Sequence, residues 1–229
     1  MNYLVYTPYR CGSSFLTRLI QKNLNERSVI FLKDINKNTQ QEDFLIKGHR
    51  EDLSILGNRK IDYLFTSIRK PTDIFISAFF KDIKEKDYPY YYPNDICKEN
   101  TKDMMDFFLS IPWEDYEWLS YEFNFKQIEN LTSINLWQED FDKNRGFNKF
   151  VKKDTTLIAT THETLNKNFN EFKDFLSKNL LFKDLDMSKF RFHNYDEFKN
   201  LYTDFIKNVP QEFYEKYEEL DFKIKQKFL

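Results

Sequence analysis

The sequence predicts an α/β fold: a mostly parallel central sheet flanked by helices, with a largely helical C-terminal half. Three observations predict it. Ile61–Ile68 is nearly continuous in apolar residues, the pattern of a strand buried on both faces. Residues 1–84 alternate short apolar runs with segments of helical period, reading strand–helix–strand–strand–helix. The 229 residues, at roughly 100–200 per domain, make one domain that buries on the order of 70–75% of its unfolded surface without staples.

In chain order, Tyr3–Thr7 is a short strand rich in β-branched and aromatic residues, ended by Pro8. Ser13 or Ser14 caps a helix carrying Phe15, Leu16, Leu19, Ile20 and Leu24 at helical spacing. Val29–Leu32 is a second strand, and residues 34–43 form a polar loop. Phe44–Ile46 is a third strand, running into Lys47-Gly48-His49 and a brief helix to about Leu56. After the strand Ile61–Ile68, Pro71 stands where a helix begins, with Ile74, Phe75, Ala78 and Phe79 on one face. Residues 85–100 break the pattern, and the four tyrosines and two prolines of Asp87–Asp95 suggest an ordered excursion. Thr101–Asn130 reads as helical, and Thr132–Trp137 and Thr155–Thr160 read as strands. Thr160 and Glu163 form a capping box that opens a helix through Leu165, Phe169, Phe172 and Leu176. The tail from about Tyr195 to Leu229 is two helices broken at Pro210.

Composition narrows the function. Thirty-five basic and 37 acidic side chains leave a net charge of -2, which argues against a nucleic-acid binder with its basic stripe. No apolar run approaches the ~18 residues of a membrane span, and no basic n-region of a secretory signal opens the chain. Two cysteines, Cys11 and Cys97, cannot form a disulfide framework and fit a reducing cytoplasm. No His, Cys, Asp or Glu spacing matches a zinc or calcium site. Glycine is scarce at 4 residues, so each is a candidate for a backbone demand, and Gly12 and Gly48 lie beside the chemistry-bearing segments.

The first such segment is Tyr9-Arg10-Cys11-Gly12-Ser13-Ser14-Phe15-Leu16, between a strand and a helix. A helix N-terminus offers unpaired N–H groups and a positive dipole end to anionic oxygens. Gly12 allows close backbone approach, the serines add hydroxyls, and Arg10 adds a planar cationic fork. The Walker A pattern is absent, which speaks against ATP or GTP hydrolysis. On spacing alone the segment is equally an ordinary strand-to-helix turn with capping serines. The second segment is Ser67-Ile68-Arg69-Lys70-Pro71, with Ser77 eight residues after Arg69. Arg69 stands at the carboxyl end of the strongest strand, where open α/β sheets bind ligands. Alone, it reads as readily as a surface arginine followed by a helix serine.

Together, the two segments resemble the PAPS-dependent sulfotransferases, in a divergent bacterial or Golgi-like branch with a P-loop-like α/β fold. Arg10-x-Gly12-Ser13-Ser14-Phe15-Leu16 is similar to that family's 5′-phosphosulfate loop, and Arg69-Lys70-Pro71 with Ser77 to its 3′-phosphate motif. The resemblance covers residues 3–84, and the tail 195–225 only loosely. It implies a single domain 1–229, with a donor-binding core over 1–84. It also implies transfer of a sulfuryl group from PAPS to a hydroxyl or amine of a small-molecule or saccharide acceptor, without a required metal. Arg10, Gly12, Ser13, Ser14 and Phe15 would hold the 5′ end and Arg69 with Ser77 the 3′-phosphate. His49, in Lys47-Gly48-His49, matches the family's catalytic base, with Glu51 in reserve. A neutral imidazole with pKa near ~6.5 suits that task. His162 and His193 read as structural or solvated.

The late Arg-Lys-Gly-x-x-Gly-x-Trp segment of cytosolic members is missing, since the last glycine is Gly146. The Tyr88–Pro93 cluster reads as a packed loop or as flat faces for an acceptor. Trp113–Trp118 reads as an amphipathic helix and the charges of Glu212–Lys227 as a solvated face. Two other functions fit the same residues: a P-loop-like nucleotide kinase or hydrolase, and a non-catalytic nucleotide- or glycan-binding protein.

Overall fold

Six strands make one sheet in the order β2-β3-β1-β4-β6-β5, and every neighbouring pair is parallel except β5 with β6. The strands are β1 (Tyr3–Tyr6), β2 (Val29–Phe31), β3 (Leu45–Gly48), β4 (Tyr63–Ile68), β5 (Phe147–Lys152) and β6 (Thr155–Thr161). This is a computed structural model, and it describes residues 1–23, 29–35, 44–49, 51–85, 101–116, 119–180 and 199–229. The tyrosine-rich cluster, Cys97 and His193 lie outside the described residues. So do Leu24 and residues 36–43, which the sequence assigned to a helix and a loop.

The pleat sorts the core into two layers. In β1, Tyr3 and Val5 face one side and Leu4 and Tyr6 the other, all buried. The Tyr3/Val5 side packs against α1 (Ser13–Asn23), α5 (His162–Lys167) and α6 (Phe169–Leu180) through Leu16, Leu19, Leu165, Phe172 and Leu176. The Leu4/Tyr6 side is covered by α2 (Pro71–Glu85), α3 (Thr101–Ser110), α4 (Tyr121–Thr132), α7 (Lys199–Asn208), α8 (Gln211–Lys216) and α9 (Glu218–Phe228). The aromatic surplus of the sequence is spent there: Phe79, Phe108 and Phe205 stack and meet edge to face at centroid distances of 5.2–5.5 Å. Among the described residues no helix is long and apolar enough to cross a membrane.

Several expectations are corrected. The described part of residues 101–130 holds two α-helices with a short 3-10 turn (Trp113–Asp115) between them, because Pro112 lacks an N–H and interrupts the ladder after α3. Thr132–Trp137 is not a strand. Thr132 ends α4 with its hydroxyl on the Ile128 carbonyl, and Ser133 turns left-handed at φ 61°. The antiparallel edge is instead β5, where only Phe147 of the six residues is fully buried. The capping residue of α5 is Thr161, whose side chain accepts from Thr164 N–H, while Thr160 bonds the Gly146 carbonyl. The helix expected through Leu176 breaks into α5 and α6 at Asn168, and the described part of the tail holds three helices rather than two. Ser13 and Ser14 lie inside the first turn of α1, and their hydroxyls have partners across the cleft rather than at the helix end.

Candidate functional site

β1 and β4 are adjacent and parallel, but they feed helices on opposite faces: β1 runs into α1 and β4 into α2. The two connections part at the carboxyl ends of these strands and leave a crevice between them, the position where open α/β sheets take ligands. Arg10 leaves β1 at this point and Arg69 leaves β4.

The crevice is drawn together by specific bonds. Arg10 Nε donates to Ser77 Oγ at 3.1 Å, and Arg69 Nη1 donates to the Arg10 carbonyl at 3.2 Å. Arg10 sits at φ 63° and Gly12 at φ 90°. For a bulky residue such as Arg10 the left-handed region costs on the order of 1–2 kcal/mol, so Arg69 holds a strained carbonyl in place. Gly12 has a second reason to lack a side chain. A Cβ there would stand 3.0 Å from Leu165 Cδ1, 3.7 Å from His162 Cδ2 and 3.8 Å from Ser67 Oγ. Ser67 is fully buried, and its hydroxyl has no hydrogen-bond partner among the described residues.

On the β3 side, Lys47 Nζ donates to Ser14 Oγ at 2.9 Å, and His49 Nε2 lies 3.2 Å from Ser13 Oγ. His49 Nδ1 is 3.3 Å from the Thr7 carbonyl, which can only accept. With the proton on Nδ1, Nε2 accepts from the Ser13 hydroxyl, so the lone pair that a general base would use faces the loop and is held by Ser13. Glu51, the reserve base, is engaged instead as the acceptor of His49 N–H at 2.8 Å. Gly48 keeps β3 close to its neighbours, since a Cβ there would meet Leu32 Cδ2 at 2.7 Å and Tyr6 Cδ2 at 3.1 Å.

Of the sequence-derived site residues, bonds join Arg10 to Ser77 and to Arg69, and Ser13 to His49, while Ser14 bonds Lys47 and Gly12 lies in the turn between β1 and α1; one pairing differs from the expected one. Ser77 was grouped with Arg69 by spacing, yet its bond is to Arg10, reached from one turn inside α2. Phe15 turns its ring edge-on to Phe169 at 5.4 Å and so serves the packing of α1 on α6.

Three further residues build the site, and short-range patterns do not announce them. Tyr121 of α4 is buried, donates its hydroxyl to the Arg69 carbonyl and accepts from Arg69 N–H, both at 2.6 Å. Burial raises the Tyr121 phenol well above its usual range, with nearby Cys11 adding to it, so it is a neutral clamp on the Arg69 backbone. Tyr121→Phe leaves two buried backbone groups without partners and is expected to cost about 2–4 kcal/mol, read as a fall in melting temperature. A melting curve superimposable on the wild type would remove the clamp from this account.

The second residue is Asp221 of α9. It accepts from Thr72 N–H at 3.1 Å and Thr72 Oγ1 at 2.8 Å, and pairs with Lys70 Nζ at 3.1 Å. It thereby satisfies the opening turn of α2, two residues past Arg69. The third is His162, assigned by the sequence to structural or solvated status. It is half-buried against the loop, and burial, reinforced by the charges of Arg69 and Arg10, lowers its pKa to about 3. The flanking cavity, about 480 Å³, is lined by Lys70, Asp73, Lys143, Glu163, Lys225 and Leu229. Burial raises the Glu163 pKa there, and Asp73 adds to the effect. Cys11, beneath the loop, has its thiol pushed up to about 12 by burial and is no nucleophile. Neither the scan against protein-family models nor the search of curated proteins finds a match to this chain.

Proposed function

We propose that this protein is a sulfotransferase, moving a sulfuryl group from PAPS to a hydroxyl or amine of a small-molecule or saccharide acceptor. One observation carries the reading: two arginines from loops 59 positions apart, with Ser77, are bonded to one another at the crevice between β1 and β4. A doubly phosphorylated adenosine presents anions at both ends, and this arrangement offers a cationic fork to each. The first turn of α1 opens beside them, with the Ser13 hydroxyl at His49 and the Ser14 hydroxyl accepting from Lys47.

In the transfer, the bond from sulfur to the 5′-phosphate oxygen breaks and a bond from sulfur to the acceptor oxygen or nitrogen forms. The acceptor proton goes to the lone pair of His49 Nε2 as attack proceeds. Negative charge grows on the departing phosphate oxygen. In this reading Arg10 and the N–H groups of the α1 first turn would stabilise that charge, and one such donor is typically worth about 3–4 kcal/mol. The Thr7 carbonyl fixes the His49 ring, and the acceptor hydroxyl would take the place of the Ser13 hydroxyl at Nε2. The cytoplasm, where two thiols stay reduced, is the setting this reading assigns.

Thermal stabilisation tests it. Adenosine 3′,5′-bisphosphate is expected to raise the melting temperature in proportion to ln(1 + [L]/Kd), and ATP and AMP far less. Equal or greater stabilisation by ATP with magnesium favours a P-loop-like kinase or hydrolase. Strong bisphosphate binding with no sulfuryl transfer to any hydroxyl acceptor favours a non-catalytic binder of the same fold.

A further inference from the structure

β4 and β6 are parallel neighbours, so their carboxyl ends open on the same edge of the sheet, one strand along from the crevice. The cavity of about 480 Å³ lies there. Lys70 and Asp73 reach it from the start of α2, Glu163 from the start of α5, Lys143 from the turn before β5, and Lys225 and Leu229 from α9. Its size falls in the small-molecule range of about 300–1,000 Å³, but its wall is not the usual apolar one. Five of its six lining side chains are charged, so a lipid or an aromatic ring gains little there. Lys70 Nζ is held by Asp221 at 3.1 Å, and Lys143 Nζ donates to the Gln226 carbonyl at 3.3 Å. Lys225 and Asp73 carry no side-chain ion pair among the described residues, and Glu163 Oε2 is buried without a hydrogen-bond partner among them. Burial raises the Glu163 pKa and the Asp73 carboxylate adds to it, with Arg69 and Lys167 opposing. Two carboxylates that repel each other in one cavity, one with an orphaned oxygen, suit a donor that carries positive charge. An ammonium has three donors and no acceptor, enough to serve both. A divalent cation is the other solution, but no group of three or more His, Cys, Asp or Glu among the described residues could hold one.

We propose that this cavity is a second ligand site, taking a small molecule that carries both an ammonium and a phosphate: the ammonium at Asp73 and Glu163, the phosphate at Lys225 and Lys143. The chemical class is an amino-sugar phosphate, whose bulk suits the volume and whose hydroxyls suit a charged wall. A plain anion gains the lysines but meets two carboxylates and leaves Glu163 Oε2 without a donor. A plain amine satisfies the carboxylates and leaves Lys225 without an anion. Only a ligand of both signs gains on both walls, so the lining discriminates as well as binds. The site stands apart from the sulfotransferase reading and needs no donor in the crevice. Arg69 turns to the Arg10 carbonyl on the crevice side, and Lys70, the next residue, lines the cavity.

The test is calorimetric titration of the full chain at neutral pH with glucosamine 6-phosphate, compared with glucose 6-phosphate, glucosamine and inorganic phosphate. Glucosamine 6-phosphate is expected to bind roughly tenfold or more tightly than each of the other three, because charge-assisted bonds form at both of its ends. Glu163→Gln and Asp73→Asn are each expected to erase most of its advantage over glucose 6-phosphate. Lys225→Ala is expected to weaken both sugar phosphates and leave glucosamine unchanged. Lys225 is exposed, so this variant keeps the test open should either carboxylate variant fail to fold. No binding of glucosamine 6-phosphate overturns the proposal. So does equal binding of glucose 6-phosphate or inorganic phosphate, which marks a cationic patch and nothing more. If adenosine 3′,5′-bisphosphate displaces glucosamine 6-phosphate and Lys225→Ala weakens both alike, the cavity belongs to the crevice, and the proposal falls while the sulfotransferase reading stands. If glucosamine 6-phosphate binds as expected and the bisphosphate does not bind at all, that reading falls and this site remains.

Discussion

Arg69→Ala is expected to weaken adenosine 3′,5′-bisphosphate binding by roughly 100-fold or more, with the protein still folded. Two losses combine. One charge-assisted contact to a phosphate is worth about 1.5–3 kcal/mol, and an arginine fork makes up to two. In addition the Arg10 carbonyl loses its 3.2 Å donor, and Arg10 is free to leave its φ of 63° and carry its own guanidinium away. Arg69→Lys restores the charge but not the fork, and is expected to recover only part of the affinity. Calorimetric titration reads the effect and a melting curve checks the fold, because the backbone of residue 69 keeps its bonds to Tyr121 in either variant. A change in affinity of less than about threefold, about 0.65 kcal/mol, would separate Arg69 from the ligand and with it the 3′-phosphate assignment.

The largest effect on stability is expected at Asp221. Its side chain and that of Lys70 are only 7% and 22% exposed, so this is a largely buried pair, unlike the solvated Lys60–Asp154 pair at 59% and 80%. Asp221→Ala strands the Lys70 ammonium, the Thr72 hydroxyl and the Thr72 N–H at once. Breaking one side of such a pair typically costs about 3–5 kcal/mol. Asp221→Asn keeps an acceptor for Thr72 while giving up the ion pair, so its loss should fall between alanine and wild type. Urea unfolding at neutral pH measures both. An unchanged midpoint for Asp221→Ala would mean that α2 does not depend on α9. The same variant should also lower bisphosphate affinity, because the turn it releases begins two residues after Arg69.

The parts of this architecture that were legible in the sequence are those whose signal is local. Ile61–Ile68 announces a central strand because both faces of β4 are covered, and Arg10-x-Gly12-Ser13-Ser14 announces a strand-to-helix loop because backbone demands fix its residue types. β5 was not legible. Phe147-Asn148-Lys149-Phe150-Val151-Lys152 is an edge with one half-covered face, and its exposed Lys149, Val151 and Lys152 are what an edge strand carries, not what a core strand does. Thr132–Trp137 misled for the opposite reason: its β-branched content suits a strand, but Thr132 serves its own helix and Ser133 reverses the chain. Tyr121, Asp221 and His162 were invisible as site residues. Each acts on a segment 52 to 150 positions away, and nothing in their neighbourhoods records that distance.

Thr72 and Asp221 are separated by 149 positions in the chain. A ribosome makes the glycine loop, Arg69 and the opening turn of α2 well before the carboxylate that seats that turn, which follows 149 residues later. The nascent chain thus carries both arginines well before α9 can fix the turn that follows Arg69. β1, β3 and β4 pair without contributions from α9, but the opening turn of α2 is seated only when α9 docks. The segment around Arg69 thus sets only after α9 has formed, and α9 acts as its latch.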